Sequence, residues 1–172
     1  MERHYRKKQH KILAELNPNK KFMYWMNSNE IHIEPNDIVH WWGGGMPVTK
    51  HEVILSHYGP FYLDMGVGNY LGVSYGNYQT WLDLYNQNIG RMIETYENKD
   101  KVLGAEVCLW SELSNQYVHH SKIWIRSSAF AERVWTVKDY QPKPDVLGRV
   151  AAHEQLMHRR GVPTAGATSQ QC

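Results

Sequence analysis

Apolar residues first recur at a helical period from about Arg3 to Leu16, where Tyr5, Ile12, Leu13 and Leu16 interleave with charged positions. Asn17-Pro18-Asn19 then stops the helix. Lys21 to Trp25 is a short, aromatic-rich run that reads as a strand. Asp37 to Trp42, entered through the turn Glu34-Pro35-Asn36 and closed by Gly43-Gly44-Gly45, reads as a second. Residues 46–51 suit a short helix, and Glu52 to Ser56 is a third strand. His57 to Gly76, rich in Gly and Tyr around Pro60, reads as a long loop, and such loops usually carry function. Trp81, Leu84, Tyr85, Ile89, Met92, Ile93 and Tyr96 follow one helical stripe, ended by Asn98 to Lys101. Val102 to Trp110 is a fourth strand. Lys122 to Trp135 is a helix with Ile125, Ala129 and Val134 inward. Val146 to Arg160, beyond Pro142 and Pro144, is a terminal helix stopped by Gly161 and Pro163, leaving Thr164 to Cys172 as a loose tail.

Short strands alternating with helices predict an α/β fold with a parallel sheet buried on both faces. In such sheets, chemistry gathers at the C-terminal strand ends. Those ends are Trp25, Trp42, the Tyr62–Asp64 region and Trp110–Glu112. Taken singly, Trp42 or Trp110 reads more readily as core. Three tryptophans at the same end of one sheet point instead to a shared surface.

Composition sharpens this. Trp and Tyr number 7 and 11 against 3 Phe, an excess that suits the apolar C–H faces and bordering hydroxyls of sugars. Lys plus Arg is 19 against 17 Asp plus Glu, too balanced to predict a nucleic acid partner. The basic cluster of Arg3, Arg6, Lys7, Lys8 and Lys11 reads as a solvated helix face. No apolar run approaches a membrane span, and the first residues lack the apolar core of a signal peptide. Cys108 and Cys172 offer neither a disulfide framework nor metal-ligand spacing, and Cys108 reads as a small buried side chain. The 10 histidines show no ligand spacing, so no metal and no cofactor is expected. Trp41 should face the helix layer, opposite Trp42. Trp81, Trp124 and Trp135 read as helix packing; Glu106, Arg126, Glu132 and Arg133 read as structural ion-pair residues. Tyr62 and Asp64 also admit a structural reading, as a loop anchor and a turn former before Gly66.

Several segments, in order, resemble family 20 glycoside hydrolases, the β-N-acetylhexosaminidases. Val102-Leu103-Gly104-Ala105-Glu106-Val107-Cys108-Leu109-Trp110-Ser111-Glu112 looks like that family's last barrel strand, with its Gly-x-Glu-x-x-x-Trp-x-Glu pattern. Trp124-Ile125-Arg126 and Ala129 to Trp135 look like its last barrel helix. Asp37 to Trp42, Phe61-Tyr62-Leu63-Asp64 and Tyr24-Trp25 resemble its preceding strand ends, and Arg159-Arg160-Gly161-Val162 its terminal helix. The resemblance implies the C-terminal half, about strands five to eight, of a (β/α)8 TIM barrel plus a C-terminal helix. Residues 1–140 would be barrel, and 141–172 the terminal helix and tail of the same domain. It implies hydrolysis of terminal non-reducing β-linked N-acetylglucosamine or N-acetylgalactosamine by a retaining, substrate-assisted route. Trp25, Trp42 and Trp110 would box the acetamido group, and Tyr62 would donate a hydrogen bond to its oxygen. Asp64 and Glu112 would accept from the sugar's C4 and C6 hydroxyls. The partners implied are terminal N-acetylhexosamines of glycans, glycolipids or chitooligosaccharides. The setting implied is lysosomal or secreted.

The family's catalytic acid lies in an adjacent Asp-Glu pair, and no Asp-Glu dipeptide occurs in this chain. The family's sugar-gripping arginine of strand one has no counterpart here either. General acid catalysis contributes roughly 10²–10⁴-fold, so the chain alone is expected to be inactive or nearly so. A truncated gene model, a half-barrel needing a partner chain or a second copy, and a non-catalytic N-acetylhexosamine-binding remnant are the readings this leaves. Two smaller departures from the family are Gln155, where a cysteine partner for Cys172 is expected, and Asn27, where an acidic residue is common.

Overall fold

The computed structural model describes residues 1–27, 33–45, 47, 49–66, 76–136 and 143–167. Four parallel strands form one sheet in sequence order: β1 (Met23–Met26), β2 (Ile38–Trp41), β3 (Glu52–Leu55) and β4 (Val102–Ala105). Register runs straight across: Trp25 lies opposite His40, and His40 opposite Ile54. Between β3 and β4 it shifts at Val53/Ile54. Among the described residues, five α-helices accompany the sheet: α1 (Glu2–Leu16), α2 (Trp81–Tyr85), α3 (Ile89–Glu94), α4 (His119–Trp135) and α5 (Val146–Arg159).

Successive strand residues point to opposite faces, and that alternation sorts the sheet. Met26, Val39, Trp41, Val53 and Leu55 enter the main core with Phe61, Leu63, Leu84, Ile89, Tyr96 and Phe130. The intervening positions Trp25 and His40 meet each other instead, ring centroids 3.7 Å apart. Trp41 faces the helix side, as its position next to Trp42 predicts. Its indole N–H donates to the Gly45 carbonyl at 2.9 Å, and a Cβ on Gly43 would lie 2.7 Å from its ring. The glycine run therefore wraps that ring as well as ending the strand. A second core joins Trp81 and Tyr85 of α2 to Ile125 and Ala129 of α4 and to Val150 and Met157 of α5.

Several elements differ from the sequence expectation. Residues 47 and 49–51 are not helical. The stripe Trp81–Tyr96 is two short helices, because Asn88 turns its side chain back to accept the Arg91 amide (2.8 Å) and starts a new helix. β4 stops at Ala105, and pairing resumes as a single parallel bridge between Tyr62 and Cys108. On α4, Arg126 and Arg133 are buried while Val134 is only partly so, and Trp135 is 87% exposed rather than packed. The start of the supposed loose tail is anchored. Ala167 is fully buried, its carbonyl takes the Trp81 indole N–H (2.9 Å), and its amide donates to Glu154 (2.9 Å). Cys172 and residues 168–171 lie outside the described residues, as do 67–75 of the long loop. The apolar residues of α1 do not enter the core: Tyr5, Ile12 and Leu16 are exposed. The helix is held from its polar side, by Arg6 over the Tyr24 ring and His10 against Asp37 (3.0 Å).

Candidate substrate-binding site

At the C-terminal ends of the strands lies a cavity of about 340 Å³, lined by Trp25, Trp42, Tyr58, Tyr62, Asp64, Trp110 and Glu112. All six residues singled out from the sequence are among these seven. Backbone pairing beyond the strands brings them together. The Trp42 amide continues the ladder onto Met26 (2.9 Å), and the Tyr58 amide reaches the Trp42 carbonyl (3.1 Å). The chain then bulges through Gly59, whose φ of 95° suits glycine. It rejoins the sheet where Cys108 donates to Phe61 and Leu63 donates to Cys108 (2.9 and 2.6 Å). Tyr62 and Trp110 thus sit on neighbouring extended segments, ring centroids 6.3 Å apart.

The aromatic wall is continuous. Trp25 and Trp110 meet edge to face at 5.4 Å, and Tyr58 meets Tyr62 at 5.4 Å. Trp25 and Trp110 are each 41% exposed. For rings in mutual contact, that leaves open faces available to a ligand. Asp64 is almost fully buried yet borders the cavity, and its carboxylate takes the Trp110 amide at 3.3 Å. Glu112 projects from a 3₁₀ turn, Ser111–Leu113, and is exposed.

Burial pushes the Tyr62 phenol up to about 12, with Cys108, Asp64 and Tyr58 adding to the rise; the Trp110 side chain, hydrogen-bonded to the phenol, works against it. The group therefore remains a protonated donor at any physiological pH. A phenol fixed in a partly dry pocket can stabilise negative charge developing on a ligand oxygen.

Behind this wall lies a polar layer. His40 is fully buried against Trp25, with Nε2 2.8 Å from Glu106. Burial lowers its pKa despite that carboxylate, which is itself partly exposed. Glu106 therefore faces a histidine whose charged form burial disfavours, a close polar contact in place of the expected ion pair. Cys108 Sγ lies 2.8 Å from Ser56 Oγ, and burial pushes the thiol to about 11.

Tyr58 was missed from the sequence. It stands just before Gly59-Pro60 in a loop outside the recognised Tyr-Leu-Asp run, and only the bulge turns its ring toward Tyr62. Arg126 is structural, as expected. Its guanidinium donates to the carbonyls of Gln79 (2.6 Å) and Leu63 (2.7 Å), and burial lowers it to about 10. Glu132 bonds Arg149 (2.7 Å) and Tyr85 (2.9 Å), tying α5 to α4 and α2.

Comparison with known proteins bears on the family and the fold. Residues 1–138 match the model of the glycosyl hydrolase family 20 catalytic domain. A probable β-hexosaminidase, fdl, of Drosophila melanogaster is 29% identical over 76% of this chain and 22% of its own length. The β-hexosaminidase subunit beta of Homo sapiens is 28% identical over 88% of this chain and 27% of its own length. The solved structure of a family 20 exo-β-N-acetylglucosaminidase from Vibrio harveyi, in complex with N-acetylglucosamine, superposes with a TM-score of 0.68. It covers 96% of this chain and 28% of that one, at 20% identity, and so speaks for the fold. The chain thus spans roughly a quarter of the length of these relatives. Four parallel strands with their helices and a match over residues 1–138 give the assignment: this chain belongs to glycosyl hydrolase family 20.

Proposed function

We propose that this chain forms the C-terminal half, about strands five to eight, of a (β/α)8 β-N-acetylhexosaminidase barrel, and supplies the wall that holds the terminal sugar. One observation carries the reading: six residues, chosen from separate motifs, border a single cavity. Trp25, Trp42 and Trp110 enclose the acetamido group and exclude water from it. Held near the anomeric carbon, the substrate's own acetamido oxygen becomes the effective nucleophile. Tyr62 donates to that oxygen, which gains charge as attack proceeds. Asp64 and Glu112 accept from the C4 and C6 hydroxyls. Asp64 is buried, and a buried carboxylate left short of a partner is costly, so analogues lacking the hydroxyl it takes are rejected.

The half-barrel reading draws support from the exposed apolar residues of the first helix and outer strands: Tyr5, Ile12 and Leu16 on α1, Met23 on β1 and Leu103 on β4. Exposed apolar surface beside β1 and β4, which end the sheet among the described residues, fits further barrel elements, from the rest of a longer chain or from a partner. Residues 1–140 are then barrel. Residues 141–172 are the terminal helix and tail of the same domain, the helix joined to the barrel through Glu132–Arg149. The reaction is retaining hydrolysis of β-linked terminal N-acetylhexosamine in glycans, glycolipids or chitooligosaccharides, in a lysosome or outside the cell.

The missing Asp-Glu pair favours a second reading for the isolated chain, a non-catalytic N-acetylhexosamine binder. Calorimetric titration with the thiazoline derived from N-acetylglucosamine, beside an assay with p-nitrophenyl β-N-acetylglucosaminide, tests both. Saturable binding without turnover is the expected result. A folded chain that binds no thiazoline removes the sugar-wall reading, and turnover by the isolated chain removes the fragment reading.

A further inference from the structure

Lys122 is the one lysine buried among the described residues, 7% exposed in the first half of α4 and outside the cavity. A lysine ammonium has three protons to donate and accepts nothing. Here all three have partners, and each is a backbone carbonyl: Asp64 at 2.8 Å, Gly66 at 3.1 Å and Leu113 at 2.8 Å. The first two belong to the loop that carries Tyr62 and Asp64, and the third follows Glu112 directly. One helical turn on, Arg126 donates to the carbonyls of Leu63 and of Lys122 itself (2.7 and 3.0 Å). Burying a cation carries a desolvation cost, which the three carbonyl partners offset here.

The geometry points to Lys122 as a positioning residue that fixes the spacing between the two sugar-facing carboxylates, Asp64 and Glu112, and thereby sets selectivity for the sugar's hydroxyls. The two loops also meet where Cys108 pairs with Phe61 and Leu63, and where the Trp110 amide donates to the Asp64 carboxylate at 3.3 Å. The Trp110 bond occupies one of the Asp64 oxygens, and both ties end at or before Trp110, short of the exposed turn that carries Glu112. The Leu113 carbonyl lies next in the chain to Glu112, so a fixed carbonyl there limits where the Glu112 backbone can sit. Bidentate recognition of neighbouring hydroxyls tolerates little play between its two acceptors, about 0.5 Å. Two members of the aromatic box stand outside this clamp, Trp25 on β1 and Trp42 directly after β2.

This inference rests on the assignment of Asp64 and Glu112 to hydroxyl recognition, and the test separates the two. The full 172-residue chain is titrated with the N-acetylglucosamine thiazoline and with its 4-deoxy and 6-deoxy counterparts, with folding followed by circular dichroism. The wild-type chain should prefer the hydroxylated ligand by about ten- to a hundredfold, the range of a charge-assisted hydrogen bond. Lys122→Met should reduce that preference to within about threefold while leaving affinity for the deoxy ligands unchanged, a pattern that general loosening of the fold would not give. Lys122→Gln, which keeps two donors, should fall between and serves where Lys122→Met does not fold. Full preference in either folded variant overturns the positioning role and leaves the carboxylate assignment standing. A wild-type chain that binds all three ligands equally overturns the carboxylate assignment, and the positioning role with it.

Discussion

Replacing Trp110 by alanine separates a ligand-facing tryptophan from a structural one. At 41% exposure, Trp110 leaves roughly 100 Å² of an approximately 250 Å² side chain open to the cavity. A sugar covering half of that face removes about 50 Å² from water, worth roughly 1.2 kcal/mol at 25 cal/mol per Å², or about eightfold in Kd. Its buried portion is a little over half, so truncation should cost stability about 2 kcal/mol, below the roughly 3–5 of a fully buried aromatic. Trp81→Phe provides the matched control. Trp81 is 6% exposed in α2, and losing its indole N–H strands the buried Ala167 carbonyl at a cost of about 1–3 kcal/mol. Urea unfolding and thiazoline titration are run on both variants. Both should unfold earlier than wild type by comparable amounts, and only Trp110→Ala should lose affinity. Equal affinity losses would mean that binding follows global stability, and the assignment of Trp110 to the ligand would fail.

Tyr62→Phe removes the donor aimed at the acetamido oxygen. In a barrel completed with its acid it should depress turnover more than it weakens substrate binding, and unchanged kinetics would remove Tyr62 from the mechanism. Acid should destabilise the chain in two stages. His40 and His57 are both lowered below their ordinary 6.5 by burial. The unfolded chain therefore takes up their protons first, and stability is complete above that value and lost as pH falls through and below it. Glu132, lowered first by its bond to Arg149, adds a second loss below its ordinary 4.5. Urea midpoints between pH 8 and 4 measure this, and a midpoint that rises on acidification contradicts it. Cys108, with its thiol pushed to about 11, should label with iodoacetamide far more slowly in the folded chain at pH 7.5 than in urea. Equal rates, read by peptide mass analysis, would show the thiol to be accessible and ionised.

Much of this was legible in the sequence because strands carry their pattern locally. The alternation that sends Val39 and Trp41 to the core leaves His40 and Trp42 to the other face, and the Gly-x-Glu-x-x-x-Trp-x-Glu run marks the segment that carries Trp110 and Glu112 to the cavity, although β4 itself stops at Ala105. What could not be read depends on contacts between distant segments. The apolar stripe of residues 81–96 gives no sign that the Asn88 side chain restarts the helix. Tyr58 reaches the cavity only because the chain bulges at Gly59 and then pairs with Cys108. Lys122 reads as an ordinary charged helix residue until the three carbonyls that surround it are brought in from two loops. The exposed stripe of α1 misleads in the opposite sense, since a helical period announces an apolar face but not that this chain covers it.

The central claim is that three tryptophans and a tyrosine enclose an acetamido group. Saturation-transfer NMR of the 172-residue chain with N-acetylglucosamine tests it most directly, because magnetisation passes from ring protons to whichever ligand protons lie against them. The account predicts that the acetamido methyl receives the strongest transfer, and that glucose, which lacks it, receives none above background. Transfer spread evenly over the ring protons, or equal for glucose, would contradict it.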